Sequence, residues 1–215
     1  MKYILKVIMV TVLFFLFSCN KETIVDTPEQ VGISKVTYYV VLTLNGAAFQ
    51  SIVIGTAYVD SGATAVENGK PTSYTTSGMV DINTEGIYTI TYTAVNQDGY
   101  SSSITRNVAV IPSAPLPDVD LSGTYANVGS AALTASISMV APGVYYTTNC
   151  WGGASSAVIP AYFFCSDGAT ITIPTQKFSA YGNLKGTGTY VAGLITWDIT
   201  LIDLATERIK KWQKQ

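Results

Sequence analysis

Thr84-Glu85-Gly86-Ile87-Tyr88-Thr89-Ile90-Thr91-Tyr92-Thr93-Ala94-Val95 decides the fold. Tyr88, Ile90, Tyr92 and Ala94 fall on one side of an extended chain, and Thr89, Thr91 and Thr93 on the other. That period of two is the signature of a half-buried strand, and β-branched Thr suits its solvent face. Asn96-Gln97-Asp98-Gly99 then reads as a hairpin, because Asp-Gly accepts positive φ. Ile104 to Ile111 returns with Ile104, Val108 and Val110 in phase. Arg106 shares that phase, so it is expected to snorkel unless a bulge shifts the register.

Working outward, Tyr39, Val41 and Thr43 alternate with Val40, Leu42 and Leu44 ahead of Asn45-Gly46. The mixed apolar run reads as a strand covered on both sides. Several strands within about 80 residues predict a sandwich. Gly86, two residues before Tyr88, with Ile90 two after it, resembles the tyrosine corner of immunoglobulin-like domains. Tyr58-Val59-Asp60-Ser61-Gly62-Ala63-Thr64-Ala65, Val80 to Ala94 and Arg106-Asn107-Val108-Ala109-Val110 together resemble a bacterial Ig-like domain over residues 35–111. The resemblance implies a spacer or binding module of a surface protein, without catalysis. No Cys lies in this stretch, so its core relies on packing.

Pro112-Ser113-Ala114-Pro115-Leu116-Pro117 reads as a semi-rigid linker, because proline fixes φ and favours extended chain. Residues 118–215 alternate again. Leu133, Ala135, Ile137 and Met139 form one set, and Ile195, Trp197, Ile199 and Leu201 another. The prediction is a second compact β-sandwich or barrel of about seven or eight strands. The whole chain is therefore expected to be all-β. Arg208 to Trp212 reads as a lysine-guarded edge strand more readily than as a short helix, with a solvated tail as the alternative. Gly123-Thr124-Tyr125, Gly143 to Tyr146 and Trp197-Asp198-Ile199 resemble the C-terminal domains of Sus-type Bacteroidetes glycan-utilisation lipoproteins.

The chain begins with Lys2 and Lys6, followed by Val7 to Phe17, apolar except for Thr11. Eleven residues fit a signal-peptide core and are too few for a membrane-spanning helix. Leu16-Phe17-Ser18-Cys19 resembles a bacterial lipobox. It implies cleavage after residue 18 and anchoring in outer-membrane lipid through acylated Cys19. Residues 19–34 read as a flexible tether. Within them Lys21-Glu22 resembles the export signal of Bacteroidetes surface lipoproteins, implying exposure on the cell exterior.

Composition narrows the chemistry. Among 215 residues there is no His, so imidazole bases and Ser-His-Asp or Cys-His constellations are excluded. The net charge of −2 offers no field to attract nucleic acid. With Cys19 acylated, Cys150 and Cys165 remain, an even count that leaves a bridge open in an oxidising compartment. If they flank one hairpin, their Cα atoms lie ~20 Å apart, against the less than about 7 Å a disulfide needs. Asp81, Asp98 and Asp167 lie in turns, with no carboxylate pair across a groove. Asp118 and Asp120, with Asp60, make a thin calcium set, and solvated loop carboxylates are the default reading. The expectation is no enzyme, no cofactor and no metal.

Fourteen Tyr and 18 Gly direct attention to surfaces instead. Trp151 precedes Gly152-Gly153, which offer little to bury a ring. Such a ring can present a flat face to a sugar, as aromatic platforms do to bases. Tyr145 and Tyr146 point to opposite faces, so one points out. Tyr162 and Tyr181 are further candidates. The alternative for all of these rings is burial as core or barrel-end plugs. Two functions follow as expectations. One is a non-catalytic accessory that binds a polysaccharide beside other outer-membrane glycan-uptake proteins. The other is a structural or adhesive module with a protein partner.

Overall fold

A computed structural model describes residues 30–31, 34–153, 157–178 and 180–215. The signal-peptide and Cys19 readings lie outside the described residues. At the end of the expected tether, Gln30–Val31 (β1) and Ser34–Lys35 (β2) pair antiparallel. Residues 39–215 form one compact unit and are all-β as predicted.

The first lobe has two sheets. Val41–Leu44 (β3), Ala63–Glu67 (β5) and Lys70–Pro71 (β6) form one, in the order β3-β5-β6. Phe49–Val53 (β4), Thr75–Ser77 (β7), Gly86–Val95 (β8) and Ser101–Ile111 (β9) form the other, in the order β4-β9-β8-β7. The parallel β4–β9 pair runs from Phe49↔Asn107 to Val53↔Ile111. Ile90, Tyr92, Ala94 and Val108 are buried, as the alternation requires. The tyrosine corner is present: Tyr88 Oη donates to the Thr84 carbonyl at 2.8 Å. The first strand is covered on one side only. Val40 is buried, whereas Val41 is 64% exposed. A three-stranded sheet packed against one partner leaves its other face in water.

Arg106 does not snorkel, and no bulge moves it. The β8–β9 register is continuous through Ile90↔Arg106, and the side chain is 0% exposed. Its charge is balanced in place. It pairs with Asp60, and its Nε donates to Ala47 O at 3.1 Å. Nη2 donates to Asn45 O at 2.7 Å and Gly62 O at 3.2 Å. A buried guanidinium is tolerated when its donors are filled in this way.

The second lobe is a closed up-and-down barrel of eight antiparallel strands. They are Gly123–Asn127 (β10), Ser130–Ala141 (β11), Val144–Thr147 (β12), Ala161–Phe164 (β13), Thr170–Phe178 (β14), Gly182–Val191 (β15), Leu194–Leu201 (β16) and Thr206–Lys214 (β17). A 3-10 turn, Ile202–Leu204, precedes β17. The expected edge strand at Arg208 to Trp212 is instead an inner stave, because β17 pairs with both β16 and β10. Closure removes the edge altogether.

The barrel interior is filled by side chains. Tyr145 and Phe163 stack at 5.3 Å, and Phe163 meets Trp197 edge-on at 5.5 Å. Gly188 pairs with Trp197 across β15–β16. A Cβ there would lie 2.5 Å from Thr196 O and 2.8 Å from the Trp197 Cβ. Small residues opposite a large ring let the wall close around it.

The linker is docked on the barrel. Leu116 N donates to Ser166 O at 2.9 Å, and Pro115 lies against Gly143 in the β11–β12 turn. Ala109 and Ile111 share a buried cluster with Ala141, Val144 and Phe164, and Phe49, Val53, Ile87 and Val140 pack around it. Ser51 Oγ donates to Pro142 O at 2.8 Å. Apolar packing of this kind joins the two lobes.

Candidate functional site: a tyrosine ledge at the lobe junction

Strand polarity sorts the expected aromatic residues. In β12 and β13, Tyr145 and Phe163 face inward, so Tyr146, Tyr162 and Phe164 face outward. Tyr145 is 0% exposed, and its hydroxyl donates to Val119 O at 2.8 Å. It cannot meet a surface ligand. Alternation separates Tyr145 from Tyr146, and the stacking on Phe163 selects the inward one.

Tyr146 and Tyr162 stand opposite each other across β12–β13, with centroids 5.1 Å apart and planes tilted by 53°. Both are half-buried. Phe49 of the first lobe lies 5.2 Å from Tyr162. On β11, Ser138 is in register with Tyr146 and is exposed. The result is a ledge of three rings with a hydroxyl at its rim. Burial, with a smaller contribution from Tyr146, pushes the Tyr162 phenol above its ordinary value, so it stays a neutral donor. Phe49 was not singled out in the sequence, because it meets Tyr162 only through the lobe packing.

A side-chain amide fixes the ledge. Tyr162 N donates to Gln176 Oε1 at 2.8 Å, and Gln176 Nε2 donates to Tyr162 O at 2.8 Å. The β14–β15 register shifts between Ile173 and Gln176. Gln176 thereby supplies the hydrogen-bonding rung that a neighbouring strand would supply.

Beyond that bulge lies a cleft of about 420 Å³, lined by Glu85 of the first lobe and by Lys185, Thr187, Asp198, Thr200 and Glu207 of the barrel. A hydrogen bond that protonated Glu207 donates to Asp198, together with the Asp198 charge, raises the Glu207 carboxyl above its ordinary value. Asp198 Oδ1 is shielded and has no hydrogen-bond partner.

The other expected residues lie elsewhere. Trp151 and Tyr181 sit at the barrel end formed by the β12–β13 and β14–β15 connections, and both pack on the barrel core. The Lys210 ammonium lies 4.9 Å from the Trp151 ring centroid and occupies one ring face. Trp151 is half-buried there. Tyr181 stacks on Phe178 at 5.8 Å with planes 10° apart. Cys150 and Cys165 are free, buried thiols at opposite ends of the β12–β13 pair. Asp60 is engaged by Arg106. Among the described residues, no group of three or more His, Cys, Asp or Glu is placed to hold a metal ion. Asp81 and Asp167 accept backbone N–H groups of their own turns, Asn83 for the first and Ala169 and Thr170 for the second.

Residues 42–110 match the bacterial surface protein Ig-like domain family. The match covers the first lobe, tyrosine corner and buried arginine included. No curated protein matches the chain. Among solved structures, the chain is similar to a lipoprotein of Bacteroides thetaiotaomicron, with 23% identity and a TM-score of 0.44, covering 82% of this chain and all of that one. A second likeness is to the M60 catalytic domain with two CBM51 domains from Clostridium perfringens ZmpB. It has 16% identity and a TM-score of 0.32, and it covers 78% of this chain and 15% of that one.

Proposed function

We propose that this protein is a lipid-anchored, non-catalytic component of the bacterial cell surface that binds a glycan on the tyrosine ledge. Cys19 serves as the attachment point to outer-membrane lipid, and the Ig-like lobe carries the barrel away from it. The likeness of residues 42–110 to a surface-protein domain supports the location. The observation that carries the binding reading is the Tyr146–Tyr162 pair, half-buried on the outer barrel wall, with Phe49 closing one side and Ser138 in register on the other.

The chemistry fits a sugar. A pyranose offers an apolar face to an aromatic ring and hydroxyls around its edge. The ledge offers rings with hydroxyls beside them and no charge among the ring residues. Because the barrel interior is filled, a ligand meets the barrel from outside. Partners in this reading are a polysaccharide and, beside it in the membrane, other glycan-uptake proteins.

Affinity electrophoresis of the full-length protein in detergent tests this against soluble plant, fungal and mucin polysaccharides. The wild type is expected to be retarded by at least one of them. Tyr146→Ala is expected to reduce that retardation about tenfold in apparent affinity, the scale of one aromatic stacking contact. Tyr146 touches Tyr162 at the rim, so its loss leaves the lobe junction intact. No retardation by any polysaccharide, alongside specific capture of a protein, would replace this reading with the adhesive one.

A further inference from the structure

Among the described residues, only two aromatic rings are more exposed than buried, and they touch each other. Tyr39 is 58% and Tyr100 is 52% exposed, with centroids 5.5 Å apart and planes tilted by 51°. Tyr39 precedes β3, and Tyr100 closes the β8–β9 hairpin. β9 runs eleven residues from Ser101 to Ile111, which packs on the barrel. At ~3.3 Å per residue, the tip stands roughly 30 Å from the lobe junction.

The hairpin that presents Tyr100 is clamped. Asn96 is 5% exposed, and its Oδ1 accepts from Asp98 N at 3.1 Å and Tyr100 N at 2.7 Å. Asn96 N donates to Tyr100 O at 2.9 Å, and Gly99 N to Asn96 O at 3.0 Å. Gln97 N donates to Glu67 Oε1 at 3.1 Å. Hairpin tips are ordinarily mobile and polar. This one is held at five points and ends in an exposed ring. Holding a contact residue in place before binding lowers the ordering cost of the complex.

We infer that Tyr39 and Tyr100 form a second sugar-stacking site, so that the protein grips a glycan chain at both lobes. The inference rests on the glycan reading of the tyrosine ledge and extends it to a distant surface. Size favours a sugar over a protein here. Two half-exposed tyrosines offer about 200 Å². Exposed Val41 and Val95 on neighbouring strands bring this to a few hundred at most. A stable protein interface takes about 800 Å² per partner. Two rings at a 51° tilt make a shallow notch for one or two sugar units. Two weak sites on one rigid body gain avidity for a polymer long enough to reach both.

The test uses full-length protein in detergent, with laminarin, galactomannan, xyloglucan, arabinoxylan and mucin as probes. For each polymer retained by the wild type, Tyr39→Ala/Tyr100→Ala is expected to weaken retention about tenfold with an unchanged melting temperature. Tyr100→Leu, which keeps apolar bulk without the ring, is expected to weaken it as well, and Tyr100→Phe to preserve it. Calorimetry with a tetrasaccharide of the same polymer is expected to give two sites in the wild type and one in the double variant. A wild-type stoichiometry of one, or retention unaffected in both Tyr100→Leu and the double variant, would overturn the inference. Loss of retention with Tyr146→Ala alone then leaves the ledge standing and removes the tip site. Loss with Tyr39→Ala/Tyr100→Ala alone does the reverse. A wild type that retains none of the five removes both.

Discussion

The Arg106 guanidinium and the Asp60 carboxylate form an ion pair inside the Ig-like lobe, where Arg106 is 0% and Asp60 27% exposed. Tyr92 Oη donates to the same Asp60 oxygen at 2.6 Å. The pair ties the loops at residues 45–47 and 60–62 to β8 and β9 in a lobe without a cysteine. Burial opposes the charge on Asp60, yet hydrogen bonds from Tyr92 and Gly62 and the Arg106 charge hold its carboxyl below the ordinary value. Because the folded value is depressed, the stabilisation is full above the unfolded value of about 3.9 and is lost as pH falls through the folded one. Asp60→Asn leaves Arg106 buried and uncompensated, so it is expected to cost about 2–3 kcal/mol at pH 7 in urea unfolding. The gap from wild type should narrow below pH 4. A gap that is constant down to pH 2 would contradict this account of the pair.

The Gln176 rung makes a sharper claim about the ledge. Gln176→Ala strands the N–H and C=O of Tyr162, and an unpaired buried polar group costs about 1–3 kcal/mol. Gln176→Glu keeps an acceptor for Tyr162 N but sets a carboxylate against Tyr162 O, so it is expected to rescue little. Denaturant midpoints of the two variants check this. Gln176→Glu at wild-type stability would show that the second hydrogen bond contributes nothing.

Burial pushes the Cys150 thiol up to about 12 and the Cys165 thiol up to about 11. The nucleophile in alkylation is the thiolate, so both are expected to be inert in the folded protein at pH 8. Intact mass after iodoacetamide should show neither modified natively and both modified in denaturant without reductant. Failure to react in denaturant would show that they are bridged.

Phe164 is 1% exposed in the cluster shared by Ala109, Ile111, Ala141 and Val144. Phe164→Ala is expected to cost about 3–5 kcal/mol. Because this packing couples the lobes, wild-type unfolding should be a single transition, separating into two in the variant. Two transitions in the wild type would mean that the cluster does not couple them.

The strands were legible in the sequence because period-two patterns such as Tyr88 to Ala94 and Ile195 to Leu201 depend on local geometry. The interior place of Arg106 was not, because its acceptors at Asn45, Ala47, Asp60 and Gly62 come from loops more than forty residues away. Closure was hidden for the same reason. Lysines at 210, 211 and 214 look like edge guards until β17 meets β10, some 85 residues earlier. At the site, alternation separated Tyr145 from Tyr146 without saying which was inward. Phe49 and the Tyr39–Tyr100 pair carried no local signal at all, since each contact spans more than sixty residues. Trp151 was the most conspicuous surface candidate, and the Lys210 ammonium over its ring is a contact that no spacing rule announces.

A glycan array read with full-length wild-type protein and with Tyr146→Ala tests the central claim most directly. The account predicts that the wild type binds a family of related glycans and that Tyr146→Ala loses most of that signal while melting at the wild-type temperature. Wild-type binding to no glycan, or binding that survives the loss of Tyr146 undiminished, would contradict it.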